Sequence, residues 1–123
     1  MNEIRRWHGC TTTTSGNSKV VLVVGGYDEN NYLDTMEMYD PLKNEWKLKS
    51  TRLPLPLYGL QVVNSHSLNY LAYAIGGDGN VDYQTAIYGL SRTEKWELVG
   101  NLKQKRYIHA SLNIKNNDFP GCN

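Results

Sequence analysis

The feature that most constrains this chain is an internal repeat at an interval near fifty residues. An apolar run ends in a glycine pair in VVLVVGGYD at 20–28, and the same pattern returns in YLAYAIGGD at 70–78. The landmarks are Gly25, Gly26, Tyr39 and Trp46 in the first copy, and Gly76, Gly77, Tyr88 and Trp96 in the second. The glycine pairs are 51 positions apart, the tryptophans 50 and the tyrosines 49. Such a period predicts a fold built from copies of one supersecondary unit.

Similar segments open the copies. RRWHGC at 5–10 resembles RYIHAS at 106–111, with an arginine three residues before a histidine in both. PLYGLQVV at 56–63 occupies the corresponding place between them. We therefore divide the chain into repeat 1 at 5–56, repeat 2 at 57–105, the start of a third repeat at 106–114 and a tail at 115–123.

Each full copy has the pattern of four short strands separated by turn residues. In repeat 1 we predict strands at 8–14, 20–24 and 34–40 and a fourth that begins at 46–48; in repeat 2 they fall at 58–64, 70–75, 83–89 and 95–99. No window carries a capped helical period. The sequence therefore predicts an all-β protein.

Composition narrows the function class. The chain has 123 residues and a formal net charge of +1, whereas nucleic-acid binding calls for a basic stripe. No apolar run approaches the length of a membrane helix, and no hydrophobic segment follows the charged start, so we expect neither a membrane span nor a signal peptide. Two widely separated cysteines, Cys10 and Cys122, favour free thiols over a disulfide. We expect a cytoplasmic protein.

With its glycine pair, tyrosine and tryptophan at fixed offsets, the repeat resembles the Kelch motif. The resemblance implies β-propeller blades: two four-stranded antiparallel blades plus the first strand of a third. Repeat 2 departs from the pattern, with Gly89-Leu90 where repeat 1 has Asp40-Pro41, and its turn to the tryptophan is predicted to be one residue longer. Leu57 stands where the other copies have an arginine.

The number of repeats implies an incomplete ring. Propellers close with 4 to 8 blades, and a blade cannot bury its own faces. We therefore expect either a piece of a longer propeller or a chain that needs other copies to close the ring.

The glycine pair allows two interpretations. A phosphate cradle would require the G-x-G-x-x-G spacing and a following helix, and neither GGYDEN nor GGDGNV provides them. The favoured interpretation is structural: glycine permits a sharp turn and close approach of neighbouring groups, with Trp46 and Trp96 expected to pack over the pair.

No cofactor or metal site is expected. The run Asp78–Asp82 begins like a calcium loop, but the later Gly and Glu positions are wrong. The repeat places His8 and His109 in different blades, where we expect them to face the central channel. A metal there is conceivable, although repeat equivalence alone accounts for both histidines.

The family resemblance also implies where a partner would bind. In Kelch domains that recognise protein motifs, the residue after the glycine pair and the loop behind it often face the ligand, as do residues two past the opening arginine. Carried onto this sequence, these are Tyr27, Asp28, Asn30, Asn31, Asp78, Asn80, Trp7 and Ile108, with Gly59 at the middle boundary. A rigid aromatic such as Tyr27 is a favourable anchor for an interface.

The leading hypothesis is a non-enzymatic module for protein–protein interaction. By resemblance to BTB–Kelch proteins, a full-length relative could present substrates to a cullin-based ubiquitin ligase. The alternatives are a propeller enzyme of the galactose-oxidase type and an actin-binding or extracellular Kelch scaffold.

Overall fold

Two antiparallel sheets of four strands each make up most of the protein. The computed structural model describes residues 1–80 and 82–111. The strands are β1 Gly9–Ser15, β2 Ser18–Val24, β3 Thr35–Asp40, β4 Glu45–Arg52, β5 Gln61–Asn64, β6 Tyr70–Ile75, β7 Asp78–Gly79, β8 Asp82–Tyr83, β9 Ala86–Ser91 and β10 Trp96–Asn101. Blade 1 has the order β1-β2-β3-β4 and blade 2 the order β5-β6-β9-β10, while β7 and β8 form a small hairpin. The all-β prediction is confirmed, and none of the described residues is helical.

Within the same described residues, no helix is long and apolar enough to cross a lipid bilayer.

The two blades pack face to face around one apolar core. Directly paired residues of a sheet share a face, so the pairing of Leu22 with Met38 and of Val24 with Met36 defines one face of blade 1. The facing residues of blade 2 include Val62, Ala72, Ala74, Tyr88 and Leu90, and both sets belong to a single buried cluster. This mutual covering is the stacking that a blade requires to bury its apolar surface.

The first strands of the blades come closest together. A Cβ atom built on Gly9 of β1 would stand 2.4 Å from Cγ2 of Val62 in β5. At the other edge, β4 is largely solvent-exposed. First strands that lie in close contact and a fourth strand exposed at the outer edge fit neighbouring blades of an incomplete propeller.

Strand pairing corrects the tyrosine landmark. Tyr39 pairs with Val21 and with Trp46, but the residue that makes the same pairings in blade 2, with Ala72 and Trp96, is Leu90. Tyr88 therefore corresponds to Glu37, and its spacing of 49 is a coincidence.

The expected longer turn in repeat 2 is likewise wrong. The β3–β4 turn has four residues between the paired Asp40 and Glu45. In blade 2, the amide of Ser91 donates to the carbonyl of Lys95 across only three. Blade 2 therefore has one residue fewer than blade 1 in the turn between its third and fourth strands, β9 and β10.

The third strand of repeat 2 lies about two residues later than predicted, because the prediction aligned Tyr88 with Tyr39. We expected a strand at 83–89, but Tyr83 pairs with Asp78 in the β7–β8 hairpin and β9 begins at Ala86. The first strand expected in the third repeat would begin near residue 110, by comparison with Gly9 and Gln61, so most of it lies beyond the described residues and it stays a prediction. Residues 112–114, the tail and Cys122 lie outside the described residues, so the pairing state of the exposed Cys10 stays a prediction.

The two outward faces differ in chemistry. On blade 1, Glu37 is fully buried and its carboxylate accepts from the Arg5 guanidinium at 3.1 Å and from the Asn2 amide at 2.5 Å. Residues 1–5 thus cover this face. On blade 2, the outward face carries apolar side chains that are only half-buried: Val63, Tyr73, Ile75 and Ile87.

Candidate functional site

The glycine pair joins each blade to the segment that opens the next one. We call 5–8, 57–60 and 106–109 the opening segments. The amide of Gly26 donates to the carbonyl of Leu57 at 2.8 Å, and the amide of Gly77 donates to that of Arg106 at the same distance. All four glycines have positive φ, from +61° to +106°, a region that other residues rarely adopt.

The residue after each glycine pair is fixed against the opening segment of its own blade. The backbone of Tyr27 exchanges two hydrogen bonds of 3.0 Å with Arg6, and that of Asp78 exchanges bonds of 2.8 and 3.1 Å with Tyr58. Tyr27 and Asp78 therefore lie at the same end of the molecule as the opening segments. We call this the loop end.

At the loop end, four rings from both blades form an aromatic cluster: Trp7, Tyr27, Tyr32 and Tyr58. Trp7 and Tyr27 are nearly parallel with centroids 6.3 Å apart. The centroid of Tyr58 lies 5.6 Å from that of Trp7 and 4.7 Å from that of Tyr32. Because Tyr58 comes from blade 2 and the others from blade 1, the cluster exists only when the blades pack.

Backbone conformation directs residues of the opening segments outward. Trp7, Gly59 and Ile108 occupy the same repeat position and all have left-handed φ, of 53°, 63° and 47°. The amide of Gly59 donates to the carbonyl of Trp7, and that of Ile108 to the carbonyl of Gly59, both at 2.7 Å. This ladder links the blades, while the side chains of Trp7 and Ile108 remain 53% and 61% exposed.

The loop after Tyr27 is held by local hydrogen bonds. The Tyr27 hydroxyl donates to the carbonyl of Glu29 at 2.6 Å. The Asp28 carboxylate accepts from the amides of Asn30 and Asn31 at 3.0 and 2.7 Å, and these bonds lower the pKa of Asp28. Since Asp28 serves the turn, the side chains of Glu29, Asn30 and Asn31 are those that the loop presents to solvent.

Charged groups lie on both sides of the cluster. The guanidinium carbon of Arg6 is 5.2 Å from the Trp7 ring and 5.1 Å from the Tyr27 ring, a cation–π arrangement. On the blade 2 side, a hydrogen bond to the Asp78 carboxylate, assisted by partial desolvation, raises the pKa of Tyr58 above its ordinary range.

The sequence of blade 1 matches a known motif. Residues 6–51, from the opening segment through nearly all of β4, match the family description of the Kelch motif. Blade 1 carries a Kelch motif. Blade 2 repeats the strand order and the glycine hydrogen bonds of that Kelch blade. No curated protein matches the chain.

The two blades bring only some of the partner-binding candidates together. Trp7 and Tyr27 lie in the aromatic cluster, and Asp78 contacts it through Tyr58. Ile108 occupies the position of Trp7 in the third repeat and lies beside Gly59 rather than in the cluster. Asn80 is exposed on the β7–β8 hairpin, where Tyr83 and Tyr107 stack with centroids 4.3 Å apart.

Sequence reasoning missed Arg6, Tyr32 and Tyr58. The signal for Arg6 and Tyr58 was present, since each stands one residue before an outward-facing repeat position. Tyr32 had a signal too, because the loops from the glycine pair to the third strand have equal length in the two repeats and place Tyr83 at the equivalent position.

The tryptophans do not cover the glycine pairs. Trp46 packs on Tyr39, with centroids 5.1 Å apart, and Trp96 packs against the core. The atoms that would meet a Cβ at Gly25 belong to Leu33, Leu57 and Leu60. The fourth strand lies too far across the sheet from the end of β2 for its tryptophan to reach the pair.

The opening-segment histidines occupy the blade junctions. His109 places its ring 3.0 Å from a Cβ built on Gly76, and His8 lies close to Gly26. The Nδ1 atom of each is buried, which does not fit side chains that face a solvent-filled channel. Burial, reinforced by Arg5 for His8 and by Arg106 for His109, lowers the pKa of each. The described residues contain no cluster of His, Cys, Asp or Glu with the geometry of a metal site.

Proposed function

We propose that this Kelch chain is a protein-interaction module whose partner binds at the loop end, over the aromatic cluster. The observation that carries the proposal is the combination of exposure and rigidity at Trp7. More than half of this indole is exposed, yet its backbone is fixed by the ladder to Gly59 and its ring by Tyr27 and Tyr58. Large aromatic side chains that lose little entropy on binding are typical interface anchors.

The polar surroundings suit an interface rim. The loop at 28–31 and the β7–β8 hairpin stand beside the cluster and carry the remaining candidates Asp28, Asn30, Asn31 and Asn80. Interfaces commonly combine a desolvated aromatic centre with such a polar edge.

Substitution of Trp7 provides the test. Gly59 occupies the same repeat position with the same φ sign, so Trp7→Gly preserves the backbone and removes only the ring. We expect Trp7→Gly and Tyr27→Ala to reduce the recovery of specific interaction partners in affinity capture with quantitative mass spectrometry. The control is Leu42→Ala, which removes an 85% exposed side chain at the opposite end of the blades. Equal partner recovery in all three variants would contradict a binding face at the loop end.

We also propose that further blades or other copies of the chain cover the outward face of blade 2. The half-buried Val63, Tyr73, Ile75 and Ile87 support this, since a blade face is normally covered by its neighbour. Sedimentation of the purified chain tests it: a stable, well-dispersed monomer would count against both forms of the proposal.

A finer proposal follows from the resemblance to BTB–Kelch proteins: in a longer protein, the captured partner is presented to a cullin-based ubiquitin ligase. The full reading frame decides it, because that role requires a BTB domain. The galactose-oxidase-type alternative has no observation in its favour among the described residues, and stoichiometric copper or iron found by elemental analysis would revive it.

A further inference from the structure

We propose that the cleft between Trp7, Tyr27, Tyr32 and Tyr58 binds the ammonium group of a lysine side chain on the partner protein. This rests on the proposed function and adds to it the chemistry of the recognised group.

The cleft has the size and lining that an alkylammonium group requires. It is an open depression of about 240 Å³ lined by the four rings of the aromatic cluster. Their closest pairs of centroids, Tyr32 with Tyr58 and Trp7 with Tyr58, are separated by 4.7 and 5.6 Å with tilts of 60° and 42°. Tilted rings around a depression present more than one electron-rich face to a single guest. A cation within about 6 Å of such faces is attracted by their quadrupoles.

The protein already holds one cation on these rings. The Arg6 guanidinium lies over Trp7 and Tyr27, but Arg6 does not line the cleft. The rings of Tyr32 and Tyr58 have no cation over them among the described residues. Arg6 thus shows the mode of binding on one side of the cluster and leaves the cleft itself without a positive group.

The surrounding charge favours a positive guest. The backbone of Asp78 exchanges two hydrogen bonds with that of Tyr58, which brings a carboxylate next to one ring of the cleft. Asp28 and Glu29 follow Tyr27 directly on the adjacent loop. Within the described residues, the ion pairs include neither Asp78 nor Asp28 nor Glu29. A lysine ammonium would therefore meet three hydroxyphenyl rings, an indole and a carboxylate that is in none of these ion pairs.

The competing possibility is an acidic partner that pairs with Arg6. It uses one exposed guanidinium and would leave the four-ring cleft unfilled. The cleft and Asp78 favour lysine, and the acidic partner becomes an outcome of the test.

The test is a titration of the purified chain with N-acetyl-lysine methylamide, followed by the NMR signal of the Trp7 indole N–H. Its neutral counterpart is N-acetyl-norleucine methylamide, which has nearly the same shape without the charge, and its acidic counterpart is N-acetyl-glutamate methylamide. We expect the lysine probe to bind about two- to fivefold more tightly than the norleucine probe, the range of a partly exposed cation–π site.

Variants separate the parts of the site. Asp78→Asn keeps the backbone bonds to Tyr58 and removes the charge, so it should reduce lysine binding but not norleucine binding. Tyr32→Ala should abolish the preference for lysine, and Leu42→Ala should leave it unchanged. Equal affinity for lysine and norleucine, or a shift of the indole signal by the glutamate probe that disappears in Arg6→Gln, would overturn the inference.

The two proposals fail in different ways. If Trp7→Gly loses partner recovery while the lysine probe shows no preference, the binding face stands and the lysine cleft is wrong. If the lysine probe binds as expected while partner recovery is insensitive to Trp7→Gly, the proposed function at this face is wrong.

Discussion

The carbonyl oxygen of Leu57 lies 2.5 Å from the point where a Cβ atom on Gly25 would stand. The opening segment of blade 2 therefore crosses directly over the glycine pair of blade 1. Gly76 stands in the same relation to the carbonyl of Arg106, again at 2.5 Å. No side chain larger than hydrogen fits between them, so the repeated glycines are the contact surface on which the next blade begins.

Gly25→Ala should destabilise the protein far more than Gly16→Ala. Both glycines have left-handed φ, of 64° and 58°, which costs about 1–2 kcal/mol for alanine. Gly16 has open space at the Cβ position, whereas Gly25 meets backbone. Urea unfolding should show the Gly16→Ala loss within that range and a distinctly larger loss for Gly25→Ala. Equal losses would mean that the junction relaxes around the methyl group.

How far the sequence predicts this molecule depends on where the information lies. The repeat period, the strand content and the structural role of the glycines depend on residues within one repeat, so the sequence predicts them. The correspondence of Tyr88 with Glu37, and of Tyr39 with Leu90, depends on which residues pair across strands, and a coincident spacing hid it. The aromatic cluster depends on contact between repeats: Tyr58 meets Trp7 because the blades stack, and no spacing within one repeat encodes that distance.

The buried Arg5–Glu37 pair should show strong coupling. Arg5→Leu leaves the Glu37 carboxylate buried without its cation, which typically costs about 3–5 kcal/mol. Blade 2 carries Leu57 and Tyr88 at the corresponding positions, so the double variant Arg5→Leu, Glu37→Tyr installs a combination that the fold already accommodates. We expect the double variant to lose less stability than Arg5→Leu alone. A double-mutant cycle by urea denaturation measures this, and additive losses would argue against a paired buried charge.

The two tryptophans should differ in their contribution to stability despite their equivalent positions. Trp96 packs against the core between the blades, while Trp46 lies on the outward face of blade 1 against Tyr39. Trp96→Ala should cost about 3 kcal/mol, the low end for truncation of a buried tryptophan because Trp96 is only partly buried, and Trp46→Ala less. Chemical denaturation of both variants decides the order, and the reverse order would place Trp46 in the more tightly packed site.

Stability should fall as the pH drops below about 6.5. Because burial and Arg5 lower the pKa of His8 in the folded state, the unfolded chain takes up a proton at a pH where the native state does not. The free energy of unfolding therefore decreases with falling pH through that window. His8→Leu should reduce this dependence, and Leu60 shows that the position accepts leucine. Because the pKa of His109 is lowered too, the free energy of unfolding of His8→Leu should still decrease somewhat as the pH falls. Unfolding curves at pH 7.5 and 5.5 with identical pH dependence in both proteins would contradict the assignment to His8.

The ladder through Trp7, Gly59 and Ile108 joins the opening segments without using the side chains at these positions. Its bonds run between backbone groups, so an indole, a hydrogen atom and a butyl group occupy one conformation without altering the junction. On the binding face that we propose at the loop end, substitutions at these positions therefore change the side chain offered to a partner while the blades stay assembled.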